Sequence, residues 1–572
     1  MSVTTTPDVD VAPPRWLPAD FDPTDLEALR AAVGKLLARE LPDAGALEAW
    51  LVDWSEVLAA VQAGQTRRRI AMTCDTSDEA LRKAHLDYER TVIPEWTRLQ
   101  DKLNRRYVKC EARGELGPRY RTFDLRTEAV VELFRDENVE LEAQDVELRT
   151  RYAGITGGRR IAFRGADCTT QQVVARLEER DRGVREEAYR ALAAARAADA
   201  DTLETLFDEM RVLRGRIARN AGFPDFRDFA FRAMQRFDYG PGECFAFHDA
   251  VERTVVPALA RRAERRKRLL GVDRLRPWDM AVDLHSDGPL QPFRDEEGYV
   301  ALGRTLFGAV DPVFAEEFDV LVRNGLLDLM SRPGKATGGY NATVADIRLP
   351  FMFINAVGRS KDVRTLLHEG GHAFHTLLTR DEPVLGLSRA PIEFCEVASM
   401  AMEFMGMERF GAAFPPDEAR AAAASLMEER LGVLAWIATV DAFQHWIYTH
   451  PDHSREERAA QWASLRERFT PHVDTEGLED IRATEWHDQL HIFRTPFYYI
   501  EYGLALVGAM QVWRRFRDDP AATIADYRDA LALGATRPLP DLFAAAGARF
   551  GPDAALLKEV VDDLVERLEA LD

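Results

Sequence analysis

Residues 365–379 read Thr365-Leu-Leu-His-Glu-Gly-Gly-His-Ala-Phe-His-Thr-Leu-Leu-Thr379, and within them His368, Glu369 and His372 form an H-E-x-x-H pattern. On a helix, residues four apart lie about 40° apart around the axis and one turn apart along it, so both imidazoles can reach one ion. Glu369 then stands beside that ion without being used as a ligand. The arrangement suits zinc-dependent hydrolysis, because Zn²⁺ lowers the pKa of water to about 7 and a free carboxylate can take the proton. Gly370 and Gly371 sit side by side inside the same helix, where each costs about 1 kcal/mol relative to Ala. A helix that packs close to another backbone, or lets substrate approach, supplies a reason for two missing Cβ atoms.

A catalytic zinc takes a third protein ligand and keeps a position open. A third His six residues beyond His372, the metzincin pattern, is excluded because that position is Leu378. After a loop with Pro383 and Gly386, the segment Pro391 to Met405 (PIEFCEVASMAMEFM) reads as a second helix opened by its proline. It offers Glu393, Glu396 and Glu403. Glu396 and Glu403 fall within about 20° of each other and Glu393 about 60° from Glu396, so spacing leaves Glu393 and Glu396 both open as ligand. Cys395 points about 100° away from Glu396 and reads as a small core residue.

Upstream, Arg332 to Asn355 has turn residues at Pro333-Gly334 and Gly338-Gly339 and apolar runs around Tyr340 and Phe351 to Ile354. It reads as two or more strands ahead of the H-E-x-x-H helix. An edge at Gly338, Gly339 and Tyr340 is a candidate to pair with an extended peptide backbone.

Most of the remaining chain has helical periodicity. Leu26 to Ala63 is amphipathic, and Ser77 to Val108 fits a helix that Pro94 breaks or kinks. A β-hairpin is expected near 153–165, where Gly157-Gly158 separates short runs with β-forming residues. Gln171 to Asn220 reads as two long helices, and Pro277 to Pro292 as a loop before a helix at Asp295 to Phe307.

A formal net charge of −21 over 572 residues argues against nucleic acid as a partner. The basic stripe Arg261 to Arg268 (RRAERRKR) reads as a solvated helix face. No run of about eighteen apolar residues spans a membrane, and the N-terminus lacks the basic-then-apolar order of a secretory signal. Five scattered cysteines, Cys74, Cys110, Cys168, Cys244 and Cys395, read as reduced, mostly buried thiols of a cytoplasmic protein.

The string His368-Glu369-Gly370-Gly371-His372-Ala373-Phe374-His375, followed by Glu396-Val397-Ala398-Ser399, resembles the thimet oligopeptidase and oligoendopeptidase F family of zinc peptidases. There an H-E-x-G-H helix is followed by a glutamate ligand heading an E-V-[AP]-S run. The resemblance implies Glu396 as third ligand, one Zn²⁺ per chain, and Glu369 as general base. It leaves His375, Glu393 and Glu403 as buried groups behind the ligands, able to orient a zinc imidazole. The tract His491 to Gly503 (HIFRTPFYYIEYG) resembles the family's aromatic segment, in which a histidine and tyrosines bind the substrate carbonyl. This implies His491 and Tyr502 with either Tyr498 or Tyr499, the choice between the two staying open. Gly370 departs from the family pattern, where a larger side chain is usual.

The implied fold is mainly α, a two-lobed helical shell around a deep substrate channel, with a small β-sheet next to the H-E-x-x-H helix. The expected organisation is a disordered tail at 1–14, an N-terminal helical domain at 15–195 and a catalytic domain at 196–572. The expected function is a zinc-dependent oligoendopeptidase acting on internal bonds of short unfolded peptides. A related zinc carboxypeptidase or dipeptidyl carboxypeptidase and a non-catalytic peptide-binding protein are the alternatives. Nothing in the sequence indicates an oligomer.

Overall fold

The computed structural model describes residues 15–285, 290–336, 338–551 and 553–571. The tail expected at 1–14 lies outside these residues. The chain is mostly helical, with one two-stranded and one three-stranded sheet, and it packs as two compact units. The first unit comprises the described parts of Met1–Phe134, Pro289–Ala423 and Ala505–Phe550; the second those of Arg135–Gly288, Ala424–Leu504 and Gly551–Asp572. The expected boundary at 195/196 falls inside one continuous helix, Arg182–Asn220, so it would divide a single element.

In the first unit, helices Leu26–Ala38, Ala44–Cys74 and Glu79–Val108 bury Leu29, Val33, Leu47, Trp50, Leu99 and Leu103 in a shared core. Each begins at an aspartate, Asp25, Asp43 and Asp78, whose carboxylate accepts backbone N–H groups of the first turn. Such a cap contributes about 1 kcal/mol. Pro94 does not break the third helix, which runs through it. Arg90, whose carbonyl loses its helical donor there, is exposed and water can serve it.

The three-stranded sheet has the order β3-β5-β4, where β3 is Leu327–Met330, β4 Tyr340–Val344 and β5 Leu349–Ala356. The central β5 pairs in parallel with β3 and antiparallel with β4, Tyr340 opposite Phe353 and Val344 opposite Leu349. Its run LPFMFINA is buried at every position but Asn355, the continuous apolar pattern of a strand covered on both faces. Helix Ser360–Leu378 follows β5 after a short turn and packs on helix Ile392–Met407.

In the second unit the hairpin pairs β1, Arg160–Phe163, with β2, Ala166–Thr169. The turn is Arg164-Gly165, at φ 50° and 82°, not Gly157-Gly158. Of the two favoured two-residue hairpin turns, type I′ needs positive φ at both central positions, as here. Gly157 instead ends helix Asp136–Gly157. The two helices expected within Gln171 to Asn220 are a short helix Thr170–Val174, a 3₁₀ turn, and the single long helix from Arg182. The stripe at Arg261 to Arg268 is only partly solvated. Arg262 and Arg266 are buried, lie 3.7 and 3.5 Å from Glu428, and Arg266 donates to the carbonyls of Asp279 and Met280. Among the described residues no helix is long and apolar enough to cross a membrane.

Candidate active site

Helix Ser360–Leu378 starts where the Asp362 carboxylate accepts the backbone N–H groups of Val357 and Arg359, both at 2.8 Å. Its two glycines are accounted for by two different neighbours. A Cβ on Gly371 would lie 2.5 Å from the carbonyl oxygen of Ala398 and 2.6 Å from Cα of Ser399, so the backbone of Ile392–Met407 occupies that space. A Cβ on Gly370 would lie 2.4 Å from Cζ of Phe307. The phenyl ring, from helix Glu296–Val310, takes the volume a larger side chain would fill.

This close approach brings His368 and His372 to Glu396. Their Nε2 atoms lie 3.6 and 3.8 Å from Glu396 Oε2, and one ligand atom from each of the three residues falls within 4.8 Å of the others. A tetrahedral zinc with bonds near 2.1 Å sets its donors about 3.4 Å apart, so the trio fits a zinc ion after small closure. The chemistry of the set agrees: two imidazoles and a carboxylate are an ordinary catalytic zinc donor set.

Glu403, two turns after Glu396 on the same face of the helix, lies 2.7 Å from His368 Nδ1. A carboxylate there fixes the proton on Nδ1 and leaves the Nε2 lone pair for a metal. Burial alone would lower His368, but the Glu403 hydrogen bond and the charges of Glu403, Glu396 and Glu369 outweigh it and raise it to about 9, so a metal binding there at neutral pH displaces the Nε2 proton while Glu403 keeps the one on Nδ1. His372 is pulled well down by burial and by its positive neighbours, which keeps it an electron-pair donor. Ser399 Oγ donates to Glu396 Oε2 at 3.2 Å. The serine was legible in the E-V-A-S run, but its partner was not.

Glu369 is 6% exposed, and its Oε2 has no hydrogen-bond partner among the described residues. Burial pushes its carboxyl up to about 7, with Glu396 and Glu403 adding to the rise and His368 opposing it. A carboxylate titrating there is matched to proton transfer at neutral pH. The strand residues separate. Gly339 borders Glu369, since a Cβ on it would lie 3.7 Å from Glu369 Oε1, and Asn341 Nδ2 donates to the Glu369 carbonyl at 3.3 Å. The carbonyl of Gly338 accepts from Asn355 Nδ2, while Tyr340 turns to the first helices, 2.6 Å from Thr73 Oγ1, and stacks on Phe353. His375 is buried with Nδ1 3.7 Å from Cys395 Sγ, and Glu393 is buried one turn before Glu396.

The second unit gathers the other candidates. The rings of His491, Tyr498, Tyr499 and Tyr502 form one cluster, with His491 4.7 Å from Tyr499 and 5.9 Å from both Tyr498 and Tyr502. Trp436 Nε1 donates to Gln489 Oε1 at 3.0 Å, which turns the Gln489 amide nitrogen to His491 Nδ1 at 2.8 Å. Because the indole can only donate, the amide orientation is fixed, His491 accepts at Nδ1, and its proton sits on Nε2. Burial, with help from Arg494, pulls His491 down to about 4, so it is a neutral donor at pH 7. Tyr499 shares this network through Gln489 and Trp436. Phe497, just ahead, holds φ 68°, a conformation costing about 1–3 kcal/mol without glycine. Its N–H donates to Gln444 Oε1 and its carbonyl accepts from Arg236, which is itself ion-paired with Glu501 at 3.0 Å. Sequence reasoning found the aromatic tract but missed Trp436 and Gln489, which no local motif marks.

Known proteins resemble this chain in sequence and in fold. Oligoendopeptidase F (plasmid) of Lactococcus lactis subsp. cremoris is 27% identical over 233 residues, 40% of this chain; the chain spans 36% of that relative's length. A PZ peptidase A solved with an inhibitor superposes with a TM-score of 0.90 at 25% identity, over 96% of this chain and 98% of that one. A structure assigned as an oligoendopeptidase F gives 0.89 at 27% identity, over 96% and 97%. Residues 175–562 match the profile of peptidase family M3, a stretch that contains the H-E-x-x-H helix, Glu396 and the His491 tract, and the chain belongs to that family.

Proposed function

We propose that this protein is a zinc-dependent oligoendopeptidase that cuts internal bonds of short unfolded peptides. The observation that carries the reading is the meeting of His368, His372 and Glu396 around one point, beside the buried carboxylate of Glu369, whose Oε2 has no hydrogen-bond partner among the described residues. His368, His372 and Glu396 would hold Zn²⁺, which would supply Lewis acidity for activating water near neutral pH and polarising a peptide carbonyl. Glu369 takes the proton of the attacking water and delivers it to the departing amine. Glu403 holds the His368 imidazole in the tautomer that binds through Nε2. The resemblance of the aromatic tract assigns His491, through its Nε2–H, and a hydroxyl from Tyr498, Tyr499 or Tyr502 the role of donors to an oxygen that gains negative charge. Gly339 leaves room for an extended backbone to run along β4. The five cysteines carry no disulfide, in keeping with a reducing, cytoplasmic location.

The test is digestion of a peptide mixture of graded length, read by mass spectrometry, with chelator, after zinc is restored, and with C-terminally amidated peptides. Internal cuts confined to short peptides, lost with chelator and indifferent to amidation, are expected. Removal of residues only from a free C-terminus would replace the endopeptidase reading with a carboxypeptidase.

A further inference from the structure

The second unit contains another convergence of metal-binding groups, remote in sequence from the H-E-x-x-H helix. Helix Pro241–Leu270 carries Cys244 and His248 four residues apart, and helix Pro416–Thr449 carries Asp441 and His445 at the same spacing. Four residues is one helical turn, so each helix presents a pair of donors from one face. All four residues are at least 97% buried. One donor atom from each of Cys244, Asp441 and His445 lies within 4.8 Å of the others, as in the His368 trio.

The hydrogen bonding inside this cluster is incomplete. His248 Nε2 and Asp441 Oδ2 are 2.8 Å apart, a full hydrogen bond. Asp441 Oδ1 and both ring nitrogens of His445 have no hydrogen-bond partner among the described residues. His445 Nε2 stands 3.4 Å from Asp441 Oδ2, with aromatic rings of Phe231, Phe245 and Phe497 around the imidazole. Buried polar atoms are nearly always satisfied, and an exception calls for an ion or a role. The 3.4 Å separation is long for a strong hydrogen bond and is about the edge of a tetrahedron of donors with bonds near 2.1 Å.

We propose that Cys244, Asp441 and His445 form a second, deeply buried metal site that takes a divalent transition metal, Zn²⁺ foremost. A thiolate, an imidazole and a carboxylate suit zinc and its cobalt substitute and do not suit Mg²⁺ or Ca²⁺, which take oxygen donors. Binding releases the Cys244 proton to solvent and places the thiolate on the ion. His248 stays behind the ligands and holds the Asp441 carboxylate in place. The ion ties helix Pro241–Leu270 to helix Pro416–Thr449, and the full chain binds two zinc ions instead of one.

Metal content and cobalt spectra of the full-length protein test this without recourse to activity. Wild type loaded with zinc and desalted is expected to retain two ions per chain, Cys244→Ser one, and His372→Ala one. After cobalt exchange, wild type and His372→Ala show a thiolate-to-cobalt charge-transfer band that Cys244→Ser loses and Cys395→Ser keeps. A single ion in wild type, or two ions that Cys244→Ser leaves in place with no thiolate band, would overturn the proposal. Should Cys244→Ser fail to fold, the wild-type count and the band in His372→Ala still decide between the two outcomes.

Discussion

Glu403 acts through His368, at the ring nitrogen opposite the one that faces Glu396. It holds the Nδ1 proton of His368, so its removal leaves the imidazole free to rotate and change tautomer. Glu403→Ala is expected to weaken zinc binding about 10–100-fold, the scale of groups behind a metal ligand. Competition with a calibrated chelator measures this, and an unchanged affinity would mean that the hydrogen bond is dispensable. Gln489 acts in the same way on His491, relaying the fixed orientation of the Trp436 indole. Gln489→Leu is expected to lower kcat/KM by up to about 10²-fold, mostly through kcat, because on the proposed function His491 donates to the developing charge. A variant that changed only KM would make Gln489 a binding residue.

Among the elements, the contact between helices Ser360–Leu378 and Ile392–Met407 decides whether three ligands meet. Gly371→Ala forces a Cβ into the backbone at Ala398 and Ser399, and neither helix can yield without moving Glu396. The expected cost is about 1–3 kcal/mol in stability, with loss of zinc affinity. Gly370→Ala presses on the Phe307 ring, a side chain, and Phe307→Ala in the same chain should restore part of the loss. Urea unfolding of the three variants separates the two glycines, and equal costs with no rescue would contradict this packing. The H-E-x-x-H helix, the second helix opened by Pro391 and the small sheet were legible because their signals are local: four-residue spacing, a proline start, a run of buried β-formers. What faces each glycine was not, since Phe307 arrives from far upstream and Ala398 from the next helix. The hairpin turn went to Arg164-Gly165 because a non-glycine residue accepted positive φ, which composition does not advertise. Cys244 and Asp441 carried no recognisable motif, since each pairs with a histidine at a spacing any buried helix face shares.

Across the whole molecule, histidines buried in the neutral state tie stability to pH. Burial pulls His472 and His491 down to about 4. Between about pH 6.5, where an unfolded histidine titrates, and pH 4, the unfolded chain takes up protons that the native chain refuses. Stability from these groups is therefore complete above about pH 6.5 and lost as the pH falls toward 4. The urea midpoint should drop across that window, less so in His472→Asn, and a flat midpoint would refute the shifts. The organisation expected from chain order, one domain ending at 195, gives way to two units each assembled from three stretches. Contacts that close such units are long-range, and a reading made along the sequence does not see them.

On the proposed function, Glu369 moves the proton while His368, His372 and Glu396 hold the metal. Glu369→Gln, loaded with zinc under the same conditions as wild type and assayed on a short peptide with an internal quenched bond, tests it most directly. The variant is expected to bind as much zinc as wild type and to lose about 10²–10⁴-fold in kcat, the range of a general base. Turnover at the wild-type rate with the metal in place would contradict it.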